Sequence, residues 1–438
     1  MNALDVSVDS SADLPGNPLV NTPRRTPAAP LRSPRPLRTR RRTTALVAVA
    51  LLAVLFGPTP FLASPAYADE VRDRQWGLDA VGVREAWNTT RGEGITVAVL
   101  DTGVDAGHVD LRGRVLKGKD LIGFGGRKGD SYWARHGTAM AGIIAGRGHG
   151  PGDGRGVPGV APEARILPVR VLLESEDPQR RRAREERGGA LAEGIRWAAD
   201  QGADVINLSL GDDSASAHPD PSEDAAVRYA LRKGAVVVAS AGNGGQEGDR
   251  ISYPAAYPGV IAVTAVNRKG ERAPFSTRRW YATVSAPGDD VVIAYPDGEY
   301  YEGWGTSVAA AFVSGCVALV RAAHPDLSPA QIKELIAETA RDTPPGGRSD
   351  ALGTGIVAPA AAIELGANVE PRRQRPEAEP YPHEYFGPGP SPGQRYGGWL
   401  APVAAVTGTL LVVCAVLLYR SAATRERPSW RGGGRLAG

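Results

Sequence analysis

Short apolar runs that end in glycine-rich or polar motifs most strongly constrain the fold of this 438-residue chain. Val97–Leu100 leads directly into Asp101, and Val205–Leu210 leads into Gly211. Runs of this length and composition are typical of buried parallel strands. They alternate with helical patterns such as the one from Ala190 to Gln201, so the sequence predicts one large α/β core.

A strand over Val97–Leu100 places Asp101 at its carboxyl end, where open α/β sheets build active sites. A buried carboxylate there can hold one ring nitrogen of His136 and fix the tautomer of the ring. His136 can then take the proton of Ser307, whose hydroxyl is a weak nucleophile without such a base. The apolar stretch after Ser307 predicts a buried helix whose first turn offers backbone N–H groups beside the hydroxyl.

Asn243 is a fourth candidate group. It follows an apolar run that begins at Val236 and stands in a glycine-rich turn. A side-chain amide at that point can donate to the oxyanion that develops during acyl transfer. The alternative is that Asn243 serves only the turn, since asparagine tolerates left-handed backbone conformations.

These motifs resemble those of the subtilisin-like (subtilase) serine proteases and occur in the same chain order: Asp101-Thr-Gly, His136-Gly-Thr, Asn243 and Gly305-Thr-Ser307. The resemblance runs from about Gln75 to Leu365. It implies a doubly wound, mostly parallel sheet with helices on both faces, and serine endopeptidase activity. A calcium site is common in that family, but no cluster of metal ligands stands out in this sequence, so no cofactor or metal is expected.

The same resemblance implies a cleft in which a peptide lies as an added strand. One wall would be formed by Ser209, Leu210 and Gly211, and the facing wall of the first specificity pocket by Ser240, Ala241 and Gly242. The helix after the serine departs from the family at Ala311 and Phe312, where many relatives carry proline and a polar residue. Loss of the proline should change the local helix geometry without touching the catalytic groups.

Other interpretations of single motifs are weaker. Asp101-Thr-Gly is also the signature of aspartic proteases, but those need a second copy and the sequence has one. His108 is expected to be structural. The glycines from Gly146 to Gly159 are not followed by the Lys-Ser or Lys-Thr of a phosphate loop, so this stretch is expected to be a flexible surface loop.

Residues 1–68 have the features of a basic leader and an export signal peptide. Arg40–Arg42 precedes an apolar run from Ala45 to Phe56, and Ala66-Tyr-Ala68 offers a small-residue cleavage site. The apolar run is too short to span a bilayer comfortably. The sequence therefore predicts export, with a peptidase domain over residues 69–369.

A second apolar segment, residues 399–419, predicts a transmembrane helix. Its 21 residues carry no charge and would extend about 31 Å, enough to cross the hydrocarbon core. The tail, residues 420–438, is basic and is predicted to lie in the cytoplasm. The sequence therefore predicts a single-pass protein of the cell membrane whose peptidase domain lies on the extracytoplasmic side. Residues 370–398 are dense in proline, glycine and charge and predict an extended tether.

Composition adds three limits. The net charge of +3 gives no case for nucleic-acid binding. Cys316 lies in the helix after Ser307 and Cys414 in the membrane segment, so the two are not expected to pair. Residues 172–189, rich in both signs of charge, are expected to form a solvated loop; a docking or self-cleavage loop is the alternative.

The order of export signal, subtilase core, proline-rich tether and carboxyl-terminal anchor resembles the mycosins, proteases associated with type VII secretion in actinobacteria. This resemblance implies three kinds of partner: a peptide or protein substrate, the plasma membrane, and the membrane complex of type VII secretion. Two hypotheses follow. The chain is an active, membrane-anchored endopeptidase, or it is a stabilising structural subunit in which proteolysis is dispensable. The complete set of catalytic motifs favours the first.

Overall fold

A seven-stranded parallel sheet forms the centre of the unit Met1–Gln374. The computed structural model describes residues 70–214, 217–372 and 400–425. Its strands are β1 Thr96–Asp101, β2 Lys119–Asp120, β3 Arg147–His149, β4 Arg155–Pro158, β5 Arg165–Arg170, β6 Val205–Leu208, β7 Val236–Ser240, β8 Ile261–Val266, β9 Ala282–Pro287, β10 Val291–Tyr295 and β11 Glu299–Gly303. The order in the large sheet is β2-β5-β1-β6-β7-β8-β9, and every neighbouring pair is parallel.

The helices of the described residues are α1 Glu70–Asp73, α2 Trp76–Ala80, α3 Val83–Ala86, α4 Arg135–Ala145, α5 Arg180–Glu186, α6 Ala190–Asp200, α7 Pro221–Arg232, α8 Thr306–Ala323, α9 Pro329–Glu338, α10 Pro359–Gly366 and α11 Leu400–Arg425. The sequence Ser328-Pro-Ala-Gln331 predicts a capping box and a helix that runs to about Arg341. The capping box is present at the start of α9, since Ser328 and Gln331 bond each other's backbone N–H groups. This helix was expected to reach about Arg341 but ends at Glu338. The expectation was wrong because Arg341 instead pairs with Ile356 in an isolated bridge.

Side chains that alternate along β1 pack against helices on opposite faces of the sheet. Val97 and Val99 belong to a buried cluster that includes residues of α4 and α8. Ala98 and Leu100 belong to a second cluster that includes residues of α6 and α7. A strand that is apolar on both faces needs cover on both faces, so the sequence of β1 is explained by this arrangement. The predicted α/β sheet with helices on both faces is confirmed.

The strand order reverses at β1, because β5 lies on one side of it and β6 on the other. In open α/β sheets a crevice forms at such a point, outside the carboxyl ends of the strands. Asp101 is the last residue of β1 and lies at this edge. The fold therefore places the first predicted catalytic residue at the crevice.

Two long apolar helices differ in burial. α8 is the one helix of the described residues that is long and apolar enough to cross a membrane, but 89% of it is buried, as expected for a core helix. α11 belongs to the separate unit Arg375–Gly438 and exposes apolar side chains over Val406–Leu418. The predicted segment 399–419 is thus helical from Leu400 on, and its insertion into a membrane stays a prediction.

Several predicted segments lie outside the described residues. These are the leader 1–68, the tether beyond residue 372, Trp399 and the tail beyond residue 425.

The glycine-rich stretch from Gly146 to Gly159 contains an antiparallel hairpin of β3 and β4, so the expectation of a flexible loop was wrong. The buried Asp110 carboxylate holds the hairpin, because it accepts from His149 Nδ1 at 2.7 Å and from Val157 N at 2.8 Å. His108 is 1% exposed and its Nδ1 accepts from the Asp110 backbone N–H. The Asp110 carboxylate, which is distant in sequence, thus fixes the conformation of a hairpin whose glycines alone would leave the backbone free to adopt many conformations.

A buried acid lies in the first turn of α7. Glu223 is 6% exposed, and its Oε2 accepts from the Tyr257 hydroxyl at 3.2 Å. Burial, and the nearby charge of Asp220, raise the pKa of Glu223 to about 7. The folded state therefore favours the protonated form of this side chain.

The raised pKa of Glu223 makes stability depend on pH. Because the folded-state pKa lies above the ordinary value of 4.5, the contribution of this group is fully present below that value and is lost as pH rises through about 7. Between pH 4.5 and pH 9 we expect wild type to lose up to about 3 kcal/mol more free energy of unfolding than Glu223→Gln. Urea titrations at both pH values measure this difference. The exposed Glu334→Gln should follow wild type, and equal losses in wild type and Glu223→Gln would contradict the assignment.

Candidate active site

Asp101 and His136 form a buried pair at the carboxyl end of β1. Both carboxylate oxygens of Asp101 lie 2.8 Å from Nδ1 of His136, and Oδ1 also accepts from Thr102 N at 2.7 Å. The Asp101 side chain is fully buried, while that of His136 is 16% exposed. A carboxylate only accepts hydrogen bonds, so Nδ1 must carry the proton and Nε2 is left as the basic nitrogen.

The surroundings of His136 act on its pKa in opposite directions. Burial lowers it, whereas the charge and hydrogen bond of Asp101 raise it, with a further contribution from the charge of Glu174. Arg180 opposes these carboxylates. The net effect is a pKa of His136 above its ordinary value, so the site favours the imidazolium form.

Ser307 lies in the first turn of α8, after Gly305, whose φ is +133°. Its hydroxyl donates to the backbone carbonyl of Ser209 at 3.0 Å, and Ser209 Oγ donates to the carbonyl of Ser307 at 2.8 Å. The Ser307 hydroxyl therefore contacts Ser209 in this structure and not His136. The hydroxyl must leave the Ser209 carbonyl before it can donate to another acceptor.

The register of the sheet brings Ser209 beside Asp101. Val99 of β1 pairs with Asn207 of β6, and Asp101 and Ser209 each follow two residues later. Asn207 also ties this edge to α8, since its Oδ1 accepts from Ser314 Oγ at 2.9 Å. Neighbouring strands lie about 4.8 Å apart, so Ser307 is held next to the strand end that carries Asp101.

Asn243 is held in a defined orientation. Its Oδ1 accepts from the backbone N–H and the hydroxyl of Thr306, both at 2.9 Å. A backbone N–H can only donate, so the oxygen faces Thr306 and the amide nitrogen takes the other position. A Cβ placed on Gly305 would lie 3.7 Å from both Asn243 Nδ2 and Ser307 N. Two donors therefore border the same small space, which a side chain at position 305 would fill.

The backbone of Asn243 is held by a residue that the sequence analysis missed. Asn243 N donates to Oδ2 of Asp213 at 3.1 Å, and Asp213 is 7% exposed. The two residues are far apart in sequence, and Asp213 belongs to no motif. Only the hydrophobic run that ends shortly before it indicates that it lies near the sheet edge.

The two predicted walls of the cleft meet at a small pocket. Ser240 Oγ donates to the carbonyl of Leu210 at 3.2 Å and thus joins the segments after β6 and β7. The pocket is lined by Ser209, Leu210, Gly211, Ser240, Gly242, Asn243, Ser252, Thr306 and Ser307. Ala241 is the one predicted wall residue that is absent from this lining; it is 1% exposed and belongs to the core cluster with α6 and α7.

Ser252 narrows this pocket and was also missed. It is 1% exposed, and its hydroxyl has no hydrogen-bond partner among the described residues. A Cβ on Gly211 would lie 2.5 Å from Ser252 Oγ, and a Cβ on Gly242 would lie 3.2 Å from Asp213 Oδ2. Each wall therefore has a glycine packed against polar side chains, and Gly242 also has a φ of +106°, which favours glycine.

The start of α4 is held by residues 172–189, so the expectation of a solvated loop was wrong. His136 N donates to Oε1 of Glu174 at 2.9 Å, and Glu174 is 5% exposed. The Arg135 side chain pairs with Glu176. Asp177, 4% exposed, accepts from the backbone N–H of Gly126 at 2.7 Å. This segment thus packs directly beside the Asp101 and His136 pair.

Within residues 70–214, 217–372 and 400–425, no group of three or more His, Cys, Asp or Glu side chains is arranged to hold a metal ion. The acids of the site are engaged in hydrogen bonds instead. Asp101, Glu174 and Asp213 each accept from at least one backbone N–H group.

Comparison with known proteins agrees with this geometry. The sequence matches peptidase S8, the subtilase family, over residues 92–355. Fervidolysin from Fervidobacterium pennivorans is 36% identical over 326 residues, which span 68% of this chain and 45% of fervidolysin. Thermitase from Thermoactinomyces vulgaris is 37% identical over 267 residues, which span 61% of this chain and 88% of thermitase.

Solved structures extend the likeness. MycP1 from Mycobacterium smegmatis superposes with a TM-score of 0.59 at 32% identity, over 73% of this chain and 90% of MycP1. MycP3 from the type VII (ESX-3) secretion system superposes with a TM-score of 0.55 at 33% identity, over 66% of this chain and 88% of MycP3. The predicted resemblance to subtilases, and among them to mycosins, is confirmed. The chain belongs to the subtilase family of serine endopeptidases.

Proposed function

We propose that this chain is a membrane-anchored serine endopeptidase that hydrolyses peptide bonds outside the cytoplasm, with Asp101, His136 and Ser307 as its catalytic groups. One observation carries the proposal: both oxygens of the buried Asp101 lie 2.8 Å from His136 Nδ1. This contact leaves Nε2 of His136 as a base whose conjugate acid is stabilised by a fixed negative charge.

The reaction begins when the Ser307 hydroxyl turns from the Ser209 carbonyl towards His136. Nε2 of His136 takes the hydroxyl proton while Ser307 Oγ bonds to the substrate carbonyl carbon, and the carbonyl electron pair moves to oxygen. The intermediate then expels the amine, which takes the proton from His136, and the acyl group stays on Ser307. Water then hydrolyses the acyl-enzyme by the same steps. It gives a proton to His136 and attacks the acyl carbon, and the acid is released as Ser307 regains its proton from His136.

The oxyanion of each intermediate is stabilised by Asn243 Nδ2 and the backbone N–H of Ser307. Support comes from the space beside Gly305 that both donors border and from the fixed orientation of the Asn243 amide. The positive end of the α8 dipole lies at the same place. Donors held in position before the reaction stabilise developing charge without reorganising.

The peptide lies between Ser209–Gly211 and Ser240–Gly242, with the side chain before the scissile bond in the small pocket. The pocket is small and the buried Ser252 is part of its lining, which favours a small side chain at that position. Ala241 supports the second wall from the core and does not line the pocket.

The membrane part of the proposal rests on α11 and on sequence. Apolar side chains are exposed along Val406–Leu418, and the segment that follows is rich in arginine. Such a helix with a basic flank favours a single pass with the tail in the cytoplasm. Residues 1–68 would direct export, and residues 370–398 would join the peptidase domain, residues 69–369, to the anchor.

The likeness to MycP3 from a type VII (ESX-3) secretion system supports a place beside a secretion membrane complex, where the chain would cleave secreted peptides or proteins. The alternative is a stabilising subunit whose proteolysis is dispensable. The two differ in whether the complex needs the hydroxyl of Ser307.

Ser307→Ala separates these alternatives. We expect the variant to lose labelling by a fluorophosphonate and cleavage of a peptide library, because the nucleophilic oxygen is gone. The full-length chain in detergent is compared with Ser307→Ala and with Ser222→Ala, which removes a surface hydroxyl and should behave as wild type. Labelling that persists in Ser307→Ala would contradict the assignment. Normal secretion by cells carrying only Ser307→Ala would favour the structural role.

Asn243→Ala tests the oxyanion donor. We expect kcat to fall by about 10²–10³ with KM little changed, because the amide acts on charge that develops in the transition state. Steady-state kinetics on the best library peptide measure the split. Asn267→Ala removes an asparagine side chain from a surface turn and serves as the control. An unchanged kcat in Asn243→Ala would restrict this residue to a turn role.

Deletion of Leu400–Arg425 tests the anchor. We expect the deletion variant to be removed from membranes by carbonate washing while wild type stays, because about 20 apolar residues are lost with the helix. A green fluorescent protein fused after Gly438 should fluoresce, since the tail is proposed to be cytoplasmic. A deletion of residues 376–386 controls for loss of length alone. Retention of the helix-deleted chain in washed membranes would overturn the proposal.

A further inference from the structure

Glu174 occupies an unusual place at the start of α4. The residue before this helix, Ala134, has a φ of +54° and no side-chain oxygen to cap the first turn. Two N–H groups of the first turn, which have no acceptor within the helix, instead donate to side chains of other segments. His136 N donates to Glu174 Oε1 at 2.9 Å, and Gly137 N donates to Thr102 Oγ1 at 3.1 Å. Glu174 thus performs the task of a helix cap from a distant part of the chain.

Glu174 also brings a second acid to the buried pair. Its carboxyl group is 5% exposed, and the charges of His136 and Asp101 both act on it. Burial raises the pKa of Glu174 above its ordinary value and the charge of Asp101 adds to the rise, although the charge of His136 and the hydrogen bonds from His136 N and Thr102 oppose it. A buried carboxylate is stabilised when a neighbouring group becomes positive, so Glu174 and a protonated His136 favour each other.

We propose that Glu174 is a positioning residue for His136, which it holds by the backbone N–H and whose positive charge it supports during turnover. This inference rests on the proposed function, in which His136 is the general base. The backbone contact fixes where α4 begins and so fixes the ring against Asp101. The imidazolium of His136 favours ionisation of Glu174, and the charge of Glu174 in turn strengthens His136 as a base.

The elements packed around Glu174 bring further charged and titratable groups close to it. Asp101 of β1 adds negative charge, and Arg135 of α4 and Arg180 of α5 add positive charge. Tyr295 of β10 is neutral while its hydroxyl is protonated. This hydroxyl accepts a hydrogen bond from the Arg135 side chain at 3.2 Å. These groups remain in place when Glu174 alone is changed.

Glu174→Gln is the deciding variant. Its amide oxygen can still accept from His136 N, but the charge is lost, so the pKa of His136 should fall. We expect the acid limb of the kcat/KM profile to move to lower pH by about one unit, with kcat on the plateau reduced less than about tenfold. Glu174→Ala also loses the cap and should show the same shift with a further kcat loss of about tenfold.

Glu176→Gln is the matched control. It makes the same change two residues away, at a side chain that is 58% exposed and pairs with Arg135. Its acid limb should coincide with that of wild type. All four full-length chains are compared in detergent from about pH 5 to pH 9.

An acid limb of Glu174→Gln that superimposes on wild type would overturn the inference while leaving the proposed function intact. Fluorophosphonate labelling of wild type and Ser307→Ala is measured on the same preparations. A wild-type chain without labelling would overturn the proposed function and this inference with it. Because the glutamine variant is isosteric, the decision does not depend on whether Glu174→Ala folds.

Discussion

The contact between Asp101 and Nδ1 of His136 is the interaction on which the site depends. A fully buried carboxylate is costly unless several donors reach it, and Asp101 receives His136 Nδ1 and the backbone N–H of Thr102. Its position is set by the end of β1, so the ring must be brought to it. That requirement explains why α4 starts abruptly after a left-handed residue and why its first turn is tied to Glu174 and Thr102.

Two helices begin at this edge of the sheet. α4 presents His136 and α8 presents Ser307 in their first turns, so both candidate groups lie where backbone N–H groups have no partners inside the helix. In α4 those groups bond side chains of the protein, which holds the base still. In α8 Thr306 N is bonded by Asn243, while Ser307 N borders the space beside Gly305. In the proposed mechanism the same property of a helix terminus thus serves rigidity in one helix and charge stabilisation in the other.

The parts of the site that the sequence predicted are those encoded locally. Asp101 was found because an apolar strand ends at it, Asn243 because a glycine-rich turn follows another strand, and the start of α9 because Ser328 and Gln331 form a capping box. Glu174 and Asp213 were missed because neither stands in a short motif of its own, as Asp101 and His136 do, and each contacts its partner across 30 or more residues. The direction of the Ser307 hydroxyl was beyond prediction as well, since it depends on a rotamer and on the register of β1 with β6.

Glu174 and Asp213 share one property that bears on how subtilase sites vary. Each is a buried carboxyl group that accepts the backbone N–H of a candidate catalytic residue, His136 in one case and Asn243 in the other. Bonding the backbone leaves the functional side chain unobstructed while fixing the point from which it extends. Glu174 lies in residues 172–189, a segment that has its own helix and contributes no strand to the sheet. In the proposed mechanism a change at Glu174 would therefore act on the strength of the base and leave the groups that meet the substrate in place.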